Sequence, residues 1–282
     1  MFKKLTPKFI ILFAIITPSL VFSQVIDLAT GANDQPIEIT ADNGIEWQRD
    51  NQLMIATGKA KATRGNASVE ADTLRAFYEK DKKGNSNISR LDASGQVKIT
   101  SPTQKITGTK GVYDLTKGVL VVTGKKVSLI SGKNTITADQ QLEYYEKKEM
   151  AVARKNATAN HNGRVLRANT LVALFFKNKF GKSQLSRVQA FENVRLVTNT
   201  ESIWADKGIY DVKSGIATLD GNIRISRDGN QLNGDSAIIN LKTGVSKLLT
   251  NAGAKSLPNN KNRNQRKRKR VRGYLLPKKS SK

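Results

Sequence analysis

Ile39-Thr40-Ala41-Asp42, Val69-Glu70-Ala71-Asp72, Ile106-Thr107-Gly108-Thr109, Ile136-Thr137-Ala138-Asp139, Leu166-Arg167-Ala168-Asn169, Ile203-Trp204-Ala205-Asp206 and Leu232-Asn233-Gly234-Asp235 are seven versions of one tetrad. They begin 30, 37, 30, 30, 37 and 29 residues apart, so a three-unit block occurs twice, spanning 97 residues and then 96. A fixed period of this size indicates one supersecondary unit stacked on copies of itself.

Around each tetrad the plan repeats. A second apolar pair follows, such as Ile45/Trp47 or Leu142/Tyr144, then a polar turn, then an alternating run such as Val119-Leu120-Val121-Val122. Gly58, Gly95, Gly124 and Gly221 close the unit, with Lys155 and Glu192 in the matching places. Period-two alternation rich in Val, Ile and Thr and punctuated by Gly and Asn predicts half-buried strands. No useful length has helical spacing. The expected fold is all-β: short antiparallel strands in an elongated, twisted, solenoid-like sheet that doubles over itself. Ala41, Ala71, Ala138, Ala168 and Ala205 recur inside the tetrads and predict a narrow interior. An open-ended array leaves unpaired strand edges at its ends, which must be capped or joined to a partner.

The 282 residues carry a formal net charge of +25. Residues 255–282 supply twelve Lys or Arg and no acid, and the first eight add Lys3, Lys4 and Lys8, yet the repeat body stays net basic. Such a balance favours an anionic partner. Lys3 and Lys4, the apolar stretch Phe9 to Leu20, and Val21-Phe22-Ser23 read as an export signal cleaved near Ser23/Gln24. The apolar run is too short and too interrupted for a membrane span of roughly twenty residues. The organisation expected is therefore a signal peptide at 1–23, a linker at 24–35, repeat blocks at 36–135 and 136–251, a disordered basic linker at 252–270, and a closing strand and tail at 271–282.

Catalysis has little to stand on. The chain has no Cys and one His. Neither a Cys/His nucleophile nor a zinc site can be assembled from that stock. His161 falls in the turn Asn160-His161-Asn162-Gly163, where exposure to solvent is expected. The recurring tetrad Asp suits turn hydrogen bonds better than acid–base work. No enzyme activity, metal or cofactor is expected. An exported chain without recurrent aromatic stacking residues is not expected to bind nucleic acid.

Pro36-Ile37-Glu38-Ile39-Thr40-Ala41-Asp42, the turn Ala56-Thr57-Gly58-Lys59-Ala60, the tetrad at Val69 and the stretch from Ile106 to Leu120 together resemble the OstA-like family of periplasmic lipopolysaccharide-transport proteins. Lys269-Arg270-Val271-Arg272-Gly273-Tyr274-Leu275-Leu276-Pro277 is similar to the final strand of the family's soluble bridge protein. The chain departs from that pattern in having two blocks where the bridge protein has one, as though two protomers were fused head to tail. The resemblance implies a folded-over β-jellyroll in the periplasm. Its interior would hold the acyl chains of lipopolysaccharide (lipid A), and its strand edges would join inner-membrane and outer-membrane components, or further copies head to tail.

The groove candidates are the tetrad heads Ile39, Val69, Ile106, Ile136, Leu166, Ile203 and Leu232, with Ile45, Trp47, Leu142 and Ile209. The bland alternative is that these residues only pack on one another. Arg266, Lys267, Arg268, Lys269 and Arg270 are candidates for phosphate or anionic lipid, against a solvated tail of no specific role. The competing functions are a structural or adhesin-like β-solenoid with a closed interior, and a binder of anionic polysaccharide through the tail.

Overall fold

A computed structural model describes residues 37–80, 86–227, 229–240, 242–243, 245–250 and 271–274. The expected signal peptide, both linkers and Arg266 to Arg270 lie outside the described residues.

The described residues form eighteen strands in one antiparallel sheet. The first block holds β1 (Glu38–Thr40), β2 (Ile45–Gln48), β3 (Leu53–Arg64), β4 (Ala67–Lys80), β5 (Ser86–Thr100), β6 (Gln104–Asp114), β7 (Val119–Thr123) and β8 (Val127–Ser131). The second holds β9 (Asn134–Ala138), β10 (Gln141–Tyr145), β11 (Met150–His161), β12 (Arg164–Lys177), β13 (Ser183–Val197), β14 (Glu201–Asp211), β15 (Ile216–Arg227), β16 (Asn230–Asn240), β17 (Val245–Leu249) and β18 (Arg272–Tyr274).

The sheet folds over because the long strands bend at one level. β3 and β4 pair from Leu53↔Phe77 to Thr57↔Thr73, then resume at Ala60↔Ala71 after a bulge. The same shift lies between Arg154 and Ala157, between Phe191 and Val194, and between Asp220 and Ile223. At these corners two successive residues take positive φ: Gly58-Lys59, Gly95-Gln96, Lys155-Asn156, Glu192-Asn193 and Gly221-Asn222. A bulge with left-handed residues turns a strand sharply. The half of each unit carrying the tetrad becomes layer one, and the half carrying the second apolar pair becomes layer two.

Alternation then places one side chain in two between the layers. Ala56, Leu74, Val122, Ala153, Leu171 and Ala217 of layer two are buried, as are Ala62, Val69, Ile106, Leu129 and Ile203 of layer one. They make two apolar cores, and Ile136 and Leu142 pack against both. β9 pairs with β8 on one side and β11 on the other, and β10 pairs with β7 and β11. The two blocks are thus repeats within one continuous sheet.

Candidate functional site

The seam between the layers is apolar and incompletely filled. Its largest void, about 110 Å³, straddles the junction of the blocks. Ile106, Ile136 and Leu166 of layer one face Leu120, Leu142, Leu171 and Val188 of layer two across it. A second void of about 70 Å³ continues it along the second block, between Leu166, Val194, Leu196 and Ile203 on one side and Ile209, Tyr210 and Leu219 on the other. A third, about 30 Å³, lies beside Val69, Leu91, Ile99 and Tyr113 in the first block. The voids follow from the small residues that line them, because Ala153, Ala190 and Ala217, each almost wholly buried, leave space that larger side chains would close.

Of the eleven groove candidates, Val69, Ile106, Ile136, Leu142, Leu166, Ile203 and Ile209 border these voids. Ile39 packs on the first core and Leu232 on the second. Ile45 and Trp47 sit elsewhere: they are 46% and 57% exposed. Their register partners are Ala56 and Met54. They hold inward positions, but among the described residues β2 has a register with β3 alone, and no second described strand covers them. Arg49 lies over the Trp47 ring at 4.9 Å, and the indole N–H donates to the Tyr78 hydroxyl at 2.8 Å.

Residues not singled out from the sequence line the opposite wall, notably Leu120, Leu171, Val188 and Leu219. The alternating run after the polar turn carried that signal. Its phase relative to the tetrad depends on the bulge, which a single sequence does not number.

The ionisable groups at the seam are few. Glu143 is 5% exposed, and burial pushes its carboxyl up. Hydrogen bonds from Arg154, from Gln141 at 2.5 Å and from Tyr145 at 2.7 Å outweigh burial and hold it below the ordinary value. Glu201 has the opposite balance: burial raises it, and Arg227 offsets this only in part. His161 is half-buried instead of fully exposed, with Nδ1 2.7 Å from Asn134 Oδ1. Burial, then the charges of Arg164 and Lys133, lower its pKa, so neutral His161 bonded to a neighbouring amide serves the turn.

The corners use the tetrad acids as hydrogen-bonding groups. Asn156 Nδ2 donates to Asp139 and Asn222 Nδ2 to Asp206, both at 2.8 Å. Asn169 Nδ2 donates to Glu192 at 2.9 Å. The described residues thus form a folded double layer with an apolar interior.

The family model described as LptA/(LptD N-terminal domain) LPS transport protein matches the chain twice, over residues 38–150 and 135–245. This chain belongs to that family. A curated relative, an uncharacterized protein of Rhizobium meliloti (strain 1021), is 34% identical over 113 residues, or 39% of this chain. The match spans 60% of that relative's length. Among solved structures, LptH of Pseudomonas aeruginosa is described as the LptA-homologous periplasmic component of the lipopolysaccharide transport device. It is matched over 86% of this chain and 96% of its own, at 11% identity. The TM-score is 0.22, too loose a superposition to carry an argument about this chain.

Proposed function

We propose that this protein is a periplasmic carrier of lipopolysaccharide that holds lipid A acyl chains in the seam and joins membrane-bound partners through its strand edges. The observation that carries the reading is the run of apolar voids along the seam, bordered by both layers and crossing the block junction. An acyl chain of about ten methylenes resists water by ~8 kcal/mol, so an unbroken apolar path lowers the barrier to crossing an aqueous space.

The voids are smaller than the roughly 150 Å³ that accommodates a benzene ring. Loading therefore requires the layers to part, and the small inward residues leave little interlocking to oppose it. β1 and β2 pair only with β3, while β17 and β18 pair only with β16. Among the described residues both layers thus offer a free strand at each end, suited to augmentation by a strand of similar fold or of a second copy. The alternative of polysaccharide binding through the tail concerns residues outside those described.

Photo-crosslinking amino acids at Ile136, Ile203 and Ile39 test the carrier reading in cells. Lipopolysaccharide adducts are expected at Ile136 and Ile203 above all. Their absence at all three positions would reject it.

A further inference from the structure

The outward face of layer one carries one unbroken cross-strand row. Its register runs Lys61↔Glu70↔Lys98↔Thr107↔Ser128↔Thr137↔Thr158↔Arg167↔Arg195↔Trp204↔Arg224↔Asn233↔Arg272. Directly paired residues share a face. The sequence neighbours of this row, such as Ala168, Ile203 and Ile225, are the buried seam residues, so the row lies on the other side of the layer from the voids.

The two blocks treat this row differently. In the first, Glu70 sits between two lysines, 3.4 Å from Lys61 and 2.9 Å from Lys98, and the charges compensate. At the matching place in the second block stands Arg167, and Trp204 stands where Thr107 stood. Arg167 is paired directly with Arg195, and like charges opposite one another cost stability. Among the described residues no ion pair joins Arg167, Arg195, Arg224 or Arg272 to a carboxylate. The nearby acid Asp206 accepts from Asn222. Arg224 lies 3.9 Å and Arg195 5.4 Å from the Trp204 ring centre. The indole therefore holds two guanidinium planes in place.

We infer that this arginine row is a binding site for an anionic saccharide, one bearing phosphate or carboxylate groups along its length. Adjacent strands lie about 4.8 Å apart, so the row offers guanidinium forks at intervals of one or two strand spacings. Each fork matches a phosphate or carboxylate in bidentate fashion. Ser202, Ser226 and Gln231 share this face two residues along from Trp204, Arg224 and Asn233, and supply hydroxyl and amide partners for sugar hydroxyls. The site does not rest on the seam reading, because it uses the opposite face of the layer.

The test uses the full chain with Trp47→Phe, which leaves Trp204 as its one tryptophan. Deacylated lipopolysaccharide and polygalacturonate are titrated, with neutral dextran and anionic phospholipid vesicles as comparisons. Both acidic saccharides are expected to change Trp204 emission and dextran to leave it unchanged. A response to deacylated lipopolysaccharide alone would narrow the ligand to a phosphosugar head. Equilibrium dialysis is expected to record at least tenfold weaker binding for R167Q/R195Q/R224Q, and unchanged binding for K61Q/K98Q. All these side chains point to solvent, and circular dichroism with the unfolding midpoint verifies that each variant is folded. Undiminished binding by the arginine variant, or a response only to vesicles, overturns the assignment.

Discussion

Asn156, left-handed at φ 48°, donates its side-chain amide to the carboxylate of Asp139 across the corner where the sheet folds over. Asn222 and Asp206 repeat the bond at the equivalent corner two units on, at the same 2.8 Å. The final acid of the tetrad thus fastens the bend of the following strand. That connects the most regular feature of the sequence to the line along which the sheet doubles.

The corners should be sensitive to their backbone chemistry. A Cβ at Gly95 or Gly221 would overlap the carboxylate of Asp72 or Asp206, and both glycines have positive φ. Gly95→Ala and Gly221→Ala are each expected to cost about 1–3 kcal/mol in denaturant unfolding. Lys155 takes φ 68° in the equivalent place with a side chain attached. Lys155→Gly should therefore stabilise by about 0.5–1 kcal/mol, the left-handed penalty exceeding the added backbone entropy.

Filling the main void should separate carrying from folding. Ile136 borders the void of about 110 Å³ and packs against both cores. Ile136→Trp should reduce lipopolysaccharide adducts at Ile203 at least tenfold. The unfolding midpoint should move by only a few degrees, since the void accepts part of the added ring. An undiminished adduct yield would mean that lipid does not pass this point.

The uncovered mouth gives a test of end-to-end association. Ile45 and Trp47 are exposed inward-position residues on a strand with one neighbour. A joining strand would bury both. I45D/W47D is expected to weaken association with a partner or a second copy at least tenfold in sedimentation equilibrium. Monomer stability should change by under about 1 kcal/mol, as exposed substitutions usually do.

Two buried acids should respond to pH with opposite signs. The Glu143 carboxyl is held below its ordinary value, so its contribution is present above the ordinary carboxylate range and is lost as pH falls through the lowered pKa. Glu143→Gln should destabilise by about 1–3 kcal/mol at pH 7 and by less at pH 3. Glu201 is raised by burial, so the folded state loses stability as pH climbs from the ordinary carboxylate value through the raised one. Glu201→Gln should stabilise at pH 7 and be neutral at pH 3. Urea unfolding of both variants at the two pH values checks the pair.

The strands, the repeat and the corners were legible because they depend on neighbours in sequence. Alternation marks a half-buried strand wherever it occurs, and the tetrad acid lies near its corner along the chain. Ile45 and Trp47 stand apart from the other inward pairs in being exposed. Their pattern matches every other inward pair, but burial also needs a neighbouring strand on each side, and among the described residues β2 has a register with β3 alone. Glu201 reads as an ordinary polar residue in the sequence, and only the folded structure makes it 7% exposed.

By itself the sequence determined a twice-repeated all-β chain with a basic balance and a narrow, alanine-spaced interior, since periodicity and composition are local properties. The tertiary structure alone decided that a void straddles the junction of the blocks and that the second block's arginines stand in line about Trp204. Both depend on which residues face each other across strands and layers, and that register is set by bulges and bends that bring together positions far apart in the chain.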